Sequence, residues 1–114
     1  MHEMSIAVAL QGRIEVHAER LGGARIAAVN LVVGEWAGVD DDALRFSFEL
    51  LTAGTPVEGT RINVRRTPLR VHCAGCADEF TPTGADFRCP RCEAVGRVHD
   101  DGSQLMIESL EIEQ

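Results

Sequence analysis

Residues 72–92 read HCAGCADEFTPTGADFRCPRC. Within them Cys73-Ala74-Gly75-Cys76 and Cys89-Pro90-Arg91-Cys92 form two CxxC pairs with twelve residues between them. Two such turns can bring four thiolates onto one ion as a tetrahedron, the geometry zinc takes with sulfur ligands at roughly 2.3 Å. The spacing is that of a zinc ribbon. Four protein sulfurs leave no coordination position for water, so the role read here is structural, not catalytic. A redox CxxC normally opens a helix after a strand of a βαβ unit, whereas both copies here lie in a loop-rich stretch. A four-cysteine iron–sulfur cluster is the lesser alternative, since the paired turns favour a single ion.

Outward from the cysteines the pattern changes to that of a packed domain. Ile6, Leu10, Ile14 and Leu21, with Ala7, Val8 and Ala18, predict a helix over 4–21 that stops at Gly22-Gly23. The apolar run Arg25 to Val33 predicts a strand covered on at least part of both faces. A loop from Gly34 to Gly38 holds the only tryptophan, Trp36. Asp40-Asp41-Asp42 suits a helix start, and Val39, Leu44, Phe48 and Leu51 give its apolar stripe up to Gly54. After the turn residues 55–59, Arg61 to Arg65 alternates as a half-buried strand. A last strand runs from Gln104 to Glu113. Its alternation changes phase between Leu105/Ile107 and Leu110/Ile112, predicting a bulge near Glu108-Ser109. The order is α-β-α-β, cysteine module, β. The last strand can rejoin the first sheet only if the module is an insertion. The expected fold class is therefore α+β (α/β): a small sheet of about three strands with two helices, plus an inserted four-cysteine ribbon. The expected division is an α/β domain of residues 1–71 plus 103–114, and a zinc-ribbon domain of residues 72–102.

The chain has 114 residues, 45% hydrophobic and 25% charged, which bounds it to one modest globular core plus a module. Its charge of −7 comes from 18 acids and 11 bases, every base an arginine. The absence of lysine excludes Schiff-base and Walker-type lysine chemistry. No GxSxG, phosphate-loop or HExxH motif occurs. No apolar run approaches the roughly 20 residues of a membrane span, and the first residues lack the signature of a signal peptide. A cytoplasmic protein with reduced cysteines is expected.

His2 directly follows Met1. With Met1 retained, as a large second residue favours, its α-amine, the His2 amide and imidazole, and the Glu3 amide can close a four-nitrogen plane. Planar nitrogen coordination selects Ni(II) or Cu(II) over tetrahedral zinc. On position alone, an exposed terminal histidine is the blander account.

Taken together these features resemble the HypA family, the nickel-incorporation accessory proteins of nickel–iron hydrogenase. The residues that carry the resemblance are Met1-His2-Glu3-Met4-Ser5, Gly34-Glu35, Gly38-Val39, Ala43-Leu44-Arg45-Phe46 with Phe48, and Gly54-Thr55-Pro56. The two CxxC turns and the closing stretch from Gly102 to Glu113 add to them. The resemblance covers essentially the whole chain. It implies a nickel metallochaperone, not an enzyme. Nickel, the transported ion, falls to Met1, His2 and Glu3, and structural zinc to Cys73, Cys76, Cys89 and Cys92. The implied partners are the GTPase HypB and the hydrogenase large subunit; some members serve urease. HypB is expected on the nickel domain around the first helix and the loop near Trp36. The chain is expected to be a monomer or weak dimer. Many relatives have glycine after the second and fourth cysteines, where this chain has Ala77 and Glu93; the change is expected to loosen the turns.

His99 is a further nickel candidate if the ribbon folds back over the N-terminus, although a solvated loop histidine beside Asp100 and Asp101 is favoured. His72 is expected to be exposed or to support the zinc ligands it adjoins, and His17 to be a surface or boundary residue of the first helix. Residues 61–99 carry +3 and the remainder −10, which keeps a nucleic-acid-binding zinc ribbon as the alternative function. Only Phe80 and Phe87 could stack on bases there, and the whole-chain field repels phosphate. A thiol oxidoreductase is the third reading.

Overall fold

The first helix, α1 (Glu3–Arg20), buries Ala7, Leu10 and Ile14, spaced three and four residues apart on one face. It ends in a Schellman motif: Gly22, at φ 74°, donates to the Glu19 carbonyl at 3.1 Å, and Gly23 donates to the Ala18 carbonyl at 2.8 Å. Two residues expected in the stripe stay exposed. Val8 sits about 100° round the helix from Ala7, and Leu21 lies past the last helical turn as its C-cap. This computed structural model describes residues 2–76, 78–82, 86–100 and 104–113, excepting the side chains of residues 99 and 100.

The chain forms two compact units, the first comprising residues Met1–Val32, Val39–Arg65 and Met106–Gln114. In it α1 packs against α2 (Asp41–Thr52). Asp40 caps α2, its carboxylate accepting from the Ala43 N–H at 3.0 Å. The stripe of α2 buries Leu44 and Phe48. Thr52 is buried as well and satisfies its hydroxyl on the Phe48 carbonyl at 2.7 Å.

The sheet order is β2-β1-β6, from β1 (Ile26–Gly34), β2 (Arg61–Thr67) and β6 (Leu105–Ile112). Hydrogen bonds pair Ile26 with Thr60 and Asn30 with Asn63, both rising together, so β1 and β2 are parallel around the α2 crossover. Arg25 pairs with Glu113 and Asn30 with Ser109, so β6 returns antiparallel. The central β1 buries residues of both faces: Val29 and Leu31 on one, Ala28 and Val32 on the other. The face of Ala28 and Val32 is crossed by polar side chains. Asn30 binds Asn63 at 2.8 Å and Ser109 at 3.0 Å, while Arg65 and Glu108 pair at 2.6 Å and Arg61 and Glu111 at 3.9 Å. The long stems spanning β1 keep water from its small residues. Glu108 and Glu111 are three apart yet meet arginines of one β2 face. Ile107 and Leu110, also three apart, are the half-buried apolar residues of β6. That is the expected phase change. Leu105 and Ile112 stay exposed.

The second unit comprises Val33–Gly38 and Arg66–Leu105. Its sheet, β4-β3-β5, uses β3 (Arg70–Cys73), β4 (Glu79–Phe80) and β5 (Gly96–Asp100). Val71 is opposed by Phe80 on one side and Val98 on the other. A Cβ at Gly96 would lie 2.2 Å from a Val71 methyl and 3.0 Å from the Phe80 ring, so only glycine lets these strands close. His99 belongs to β5, not to the loop expected after the ribbon: the ribbon needs a third strand, and β3 supplies the pairing edge. The Trp36 loop also belongs to this unit rather than to the helices. Glu35 donates to the Thr67 carbonyl at 2.8 Å, and Gly34 to the Gln104 carbonyl at 2.7 Å. The Trp36 ring meets Phe87 edge-on at 6.1 Å.

Candidate metal centre

The two CxxC turns are built alike. In each, the first cysteine's amide donates to the carbonyl five residues on: Cys73 to Asp78 at 2.7 Å, and Cys89 to Ala94 at 2.9 Å. In each, the first cysteine's sulfur accepts from the amide two residues on: Gly75 to Cys73 at 3.3 Å, and Arg91 to Cys89 at 3.4 Å. These bonds curl the backbone around the sulfur and orient it, as charge-assisted N–H···S contacts stabilise thiolates. Strand β3 delivers Cys73, and a bridge between Arg88 and Val95 brackets Cys89-Pro90-Arg91-Cys92.

The four sulfurs lie within 4.8 Å of one another. Cys73 and Cys92 are 3.3 Å apart and Cys76 and Cys89 3.7 Å, distances far beyond the S–S bond of about 2.05 Å. A tetrahedron with metal–sulfur bonds of about 2.3 Å has edges of roughly 3.8 Å, so the cluster fits a divalent four-thiolate centre. Crowding splits the thiols' acidity. The Cys76 amide, with the hydrogen bonds from Cys92 and Gly75, lowers Cys73 to about 6 against the pull of burial. Cys76 accepts from the Asp78 amide, which lowers it, yet its sulfur neighbours and burial push it up to about 12. A divalent cation reverses that repulsion, because a coordinating thiol ionises outright. Cys73 and Cys89 are buried, and Cys92 is exposed.

Of the two positions without glycine, Ala77 lies outside the described residues. Glu93 adopts φ 64°, left-handed backbone that glycine takes without steric cost. Two features escaped sequence reading. Arg91 pairs with Asp78 at 2.5 Å, bridging the two turns; the signal was an arginine between the second pair of cysteines and an acid two residues after the first. Glu3 also has an unforeseen partner, since its carboxylate accepts from the Asp40 N–H at 3.2 Å. That amide, and next Glu3's own, hold the Glu3 carboxyl below the usual value.

At the N-terminus, Met1 lies outside the described residues. His2 is the exposed N-cap of α1, without a side-chain cap bond, and its carbonyl accepts from the Ile6 amide at 2.9 Å. As the opening residues of a helix, His2 and Glu3 have amides beyond the reach of any intrahelical carbonyl. His72 is exposed on β3, between Arg97 and Glu79 of the neighbouring strands, and His17 is half-buried on α1.

Comparison with known proteins places these features in context. A family model described as hydrogenase/urease nickel incorporation, metallochaperone, HypA, matches residues 1–112. A hydrogenase maturation factor HypA of Geobacter metallireducens is 40% identical over 113 residues, covering 99% of this chain and 100% of the relative. That of Geobacter sulfurreducens is 41% identical over 113 residues, with the same coverage. The solution structure of the nickel metallochaperone HypA from Helicobacter pylori aligns with TM-score 0.64 at 23% identity, covering 98% of this chain and 97% of that one. A second HypA solution structure aligns with TM-score 0.69, also at 23% identity, covering 98% and 96%. At that identity the structures speak for the fold.

Proposed function

Because the chain belongs to the HypA family of nickel-incorporation metallochaperones, we propose that it takes up Ni(II) through Met1, His2 and Glu3 and hands it on in nickel–iron hydrogenase maturation. The observation that carries the ligand assignment is the state of the helix start. His2 is exposed and leaves its imidazole uncommitted to capping, and the His2 and Glu3 amides owe no bond to the helix. With the Met1 α-amine they supply four nitrogens, the donor set that suits planar Ni(II). The cargo thus binds at the opening of α1 without melting it.

Zinc is the ion proposed for Cys73, Cys76, Cys89 and Cys92, where its charge stabilises four thiolates and its closed shell holds two turns together. No helix is long and apolar enough to cross a membrane among the described residues, and a cytoplasmic setting is proposed. The nickel domain is taken as residues 1–71 plus 103–114, and the zinc ribbon as residues 72–102. The proposed partners are the GTPase HypB and the hydrogenase large subunit, the latter as the recipient of nickel.

The test is calorimetric nickel titration, with absorption spectra, of zinc-loaded protein bearing an untagged N-terminus. One nickel per chain with a planar d–d band, lost in His2→Ala, supports the reading. Nickel binding that is unchanged in His2→Ala overturns it. Affinity should also fall as pH drops, because protons compete for the amine, imidazole and amides.

A further inference from the structure

The two cysteine turns are alike in their backbone bonds but not in what their closing residues carry. The first is closed by Asp78, whose carbonyl accepts from Cys73; the second is closed by Ala94, which has no polar side chain. Asp78 reaches across to Arg91, the residue between Cys89 and Cys92, with Oδ2 and Nη1 2.5 Å apart. Both partners also touch the cluster through their amides. Asp78 donates to the Cys76 sulfur, and Arg91 donates to the Cys89 sulfur at 3.4 Å. Those two sulfurs are 3.7 Å apart. The ion pair therefore brackets one edge of the sulfur tetrahedron, Cys76/Cys89. The opposite edge joins buried Cys73 to Cys92, the one exposed residue of the four.

From this juxtaposition we infer that Asp78 and Arg91 form a latch that sets how fast the cluster gives up its metal. A bound ion leaves when the two turns part. With the latch made, the Cys76/Cys89 edge stays shut, and departure has to start from the exposed Cys92 side and proceed through one open edge. With the latch broken, both edges can part. The guanidinium also places a positive charge beside a centre that carries −2 when four thiolates hold a divalent ion. Neither residue ligates the metal; both position the turns that do. The inference rests on the zinc assignment proposed above.

The experiment follows zinc transfer from the full-length zinc-loaded protein to an excess of chromophoric chelator. Arg91→Ala and Asp78→Ala should each release zinc about two- to fivefold faster, the range an exposed ion pair carries. The double variant should be no faster than either single one, since both remove the same contact. Exchanging the charges, Asp78→Arg with Arg91→Asp, should restore slow release, and 1 M salt should bring the native protein toward the variants. Far-UV spectra and one zinc per chain at the start separate the latch from misfolding. Single variants that release at the native rate overturn the latch, as do effects that multiply in the double variant. A native chain that takes up no zinc overturns the assignment on which the latch rests.

Discussion

Glu93 and Glu3 show how much one backbone angle or one amide can weigh. At φ 64°, Glu93 holds a conformation that costs an ordinary residue about 1–2 kcal/mol, part of which glycine returns as lost chain entropy. Glu93→Gly should raise the stability of the metal-loaded ribbon by about 0.5–1 kcal/mol, read as a higher guanidinium midpoint. An unchanged or lower midpoint would show that the turn is not strained there. Glu3 has a carboxyl held below its ordinary 4.5, first by the Asp40 amide. A depressed acid adds stability that is full above its unfolded value and is lost as pH falls through the folded one. Unfolding midpoints of Glu3→Gln and native protein should therefore differ most above pH 4.5 and converge below it. Parallel curves through that window would remove the link.

Among the elements, α2 is the easiest to test because its cap and core are separate. Asp40→Ala deletes the acceptor for the Ala43 N–H and should cost about 1 kcal/mol, whereas Asp40→Asn keeps it and should cost little. Denaturant titration checks both; equal losses would place the effect in charge rather than in capping. Elements of this kind were legible in the sequence. Leu44, Phe48 and Leu51 repeat at helical spacing, and Ile62 and Val64 alternate, because burial against one face leaves a periodic trace. β1 was legible as a two-sided run, and the phase change of β6 as a break in alternation. The ribbon strands left no such trace. β4 has two residues and β3 four, too few for a period, and their closure depends on Gly96, where nothing but a missing Cβ fits. Placing His99 in a loop failed for that reason. The four cysteines were legible because ligand spacing is local, whereas the partners Asp78–Arg91, Glu3–Asp40 and Trp36–Phe87 are set by folding.

For the molecule as a whole, both helices belong to one unit and the single tryptophan to the other. Metal removal can therefore be read separately in each. Metal binding is folding energy for a ribbon with so few buried apolar side chains, so stripping it with a chelator, or Cys89→Ser, should shift Trp36 emission as the Phe87 contact is lost. The helical far-UV signal should be largely kept. A helical signal that collapses in step with Trp36 emission would mean that the two units unfold as one.

The chain order of the sheet has a bearing on biosynthesis. The first unit draws its third strand from residues that follow all four cysteines, so a growing chain presents the whole ribbon before β6 exists to complete the β2-β1-β6 sheet. At roughly 5–20 residues per second, the twelve residues between Cys92 and Leu105 pass in about a second. The four cysteines are therefore joined to the chain ahead of the strand that completes the first sheet. A chain that ends at Asp100, after β5, would hold every residue that closes the two cysteine turns while its first sheet still lacks an edge strand.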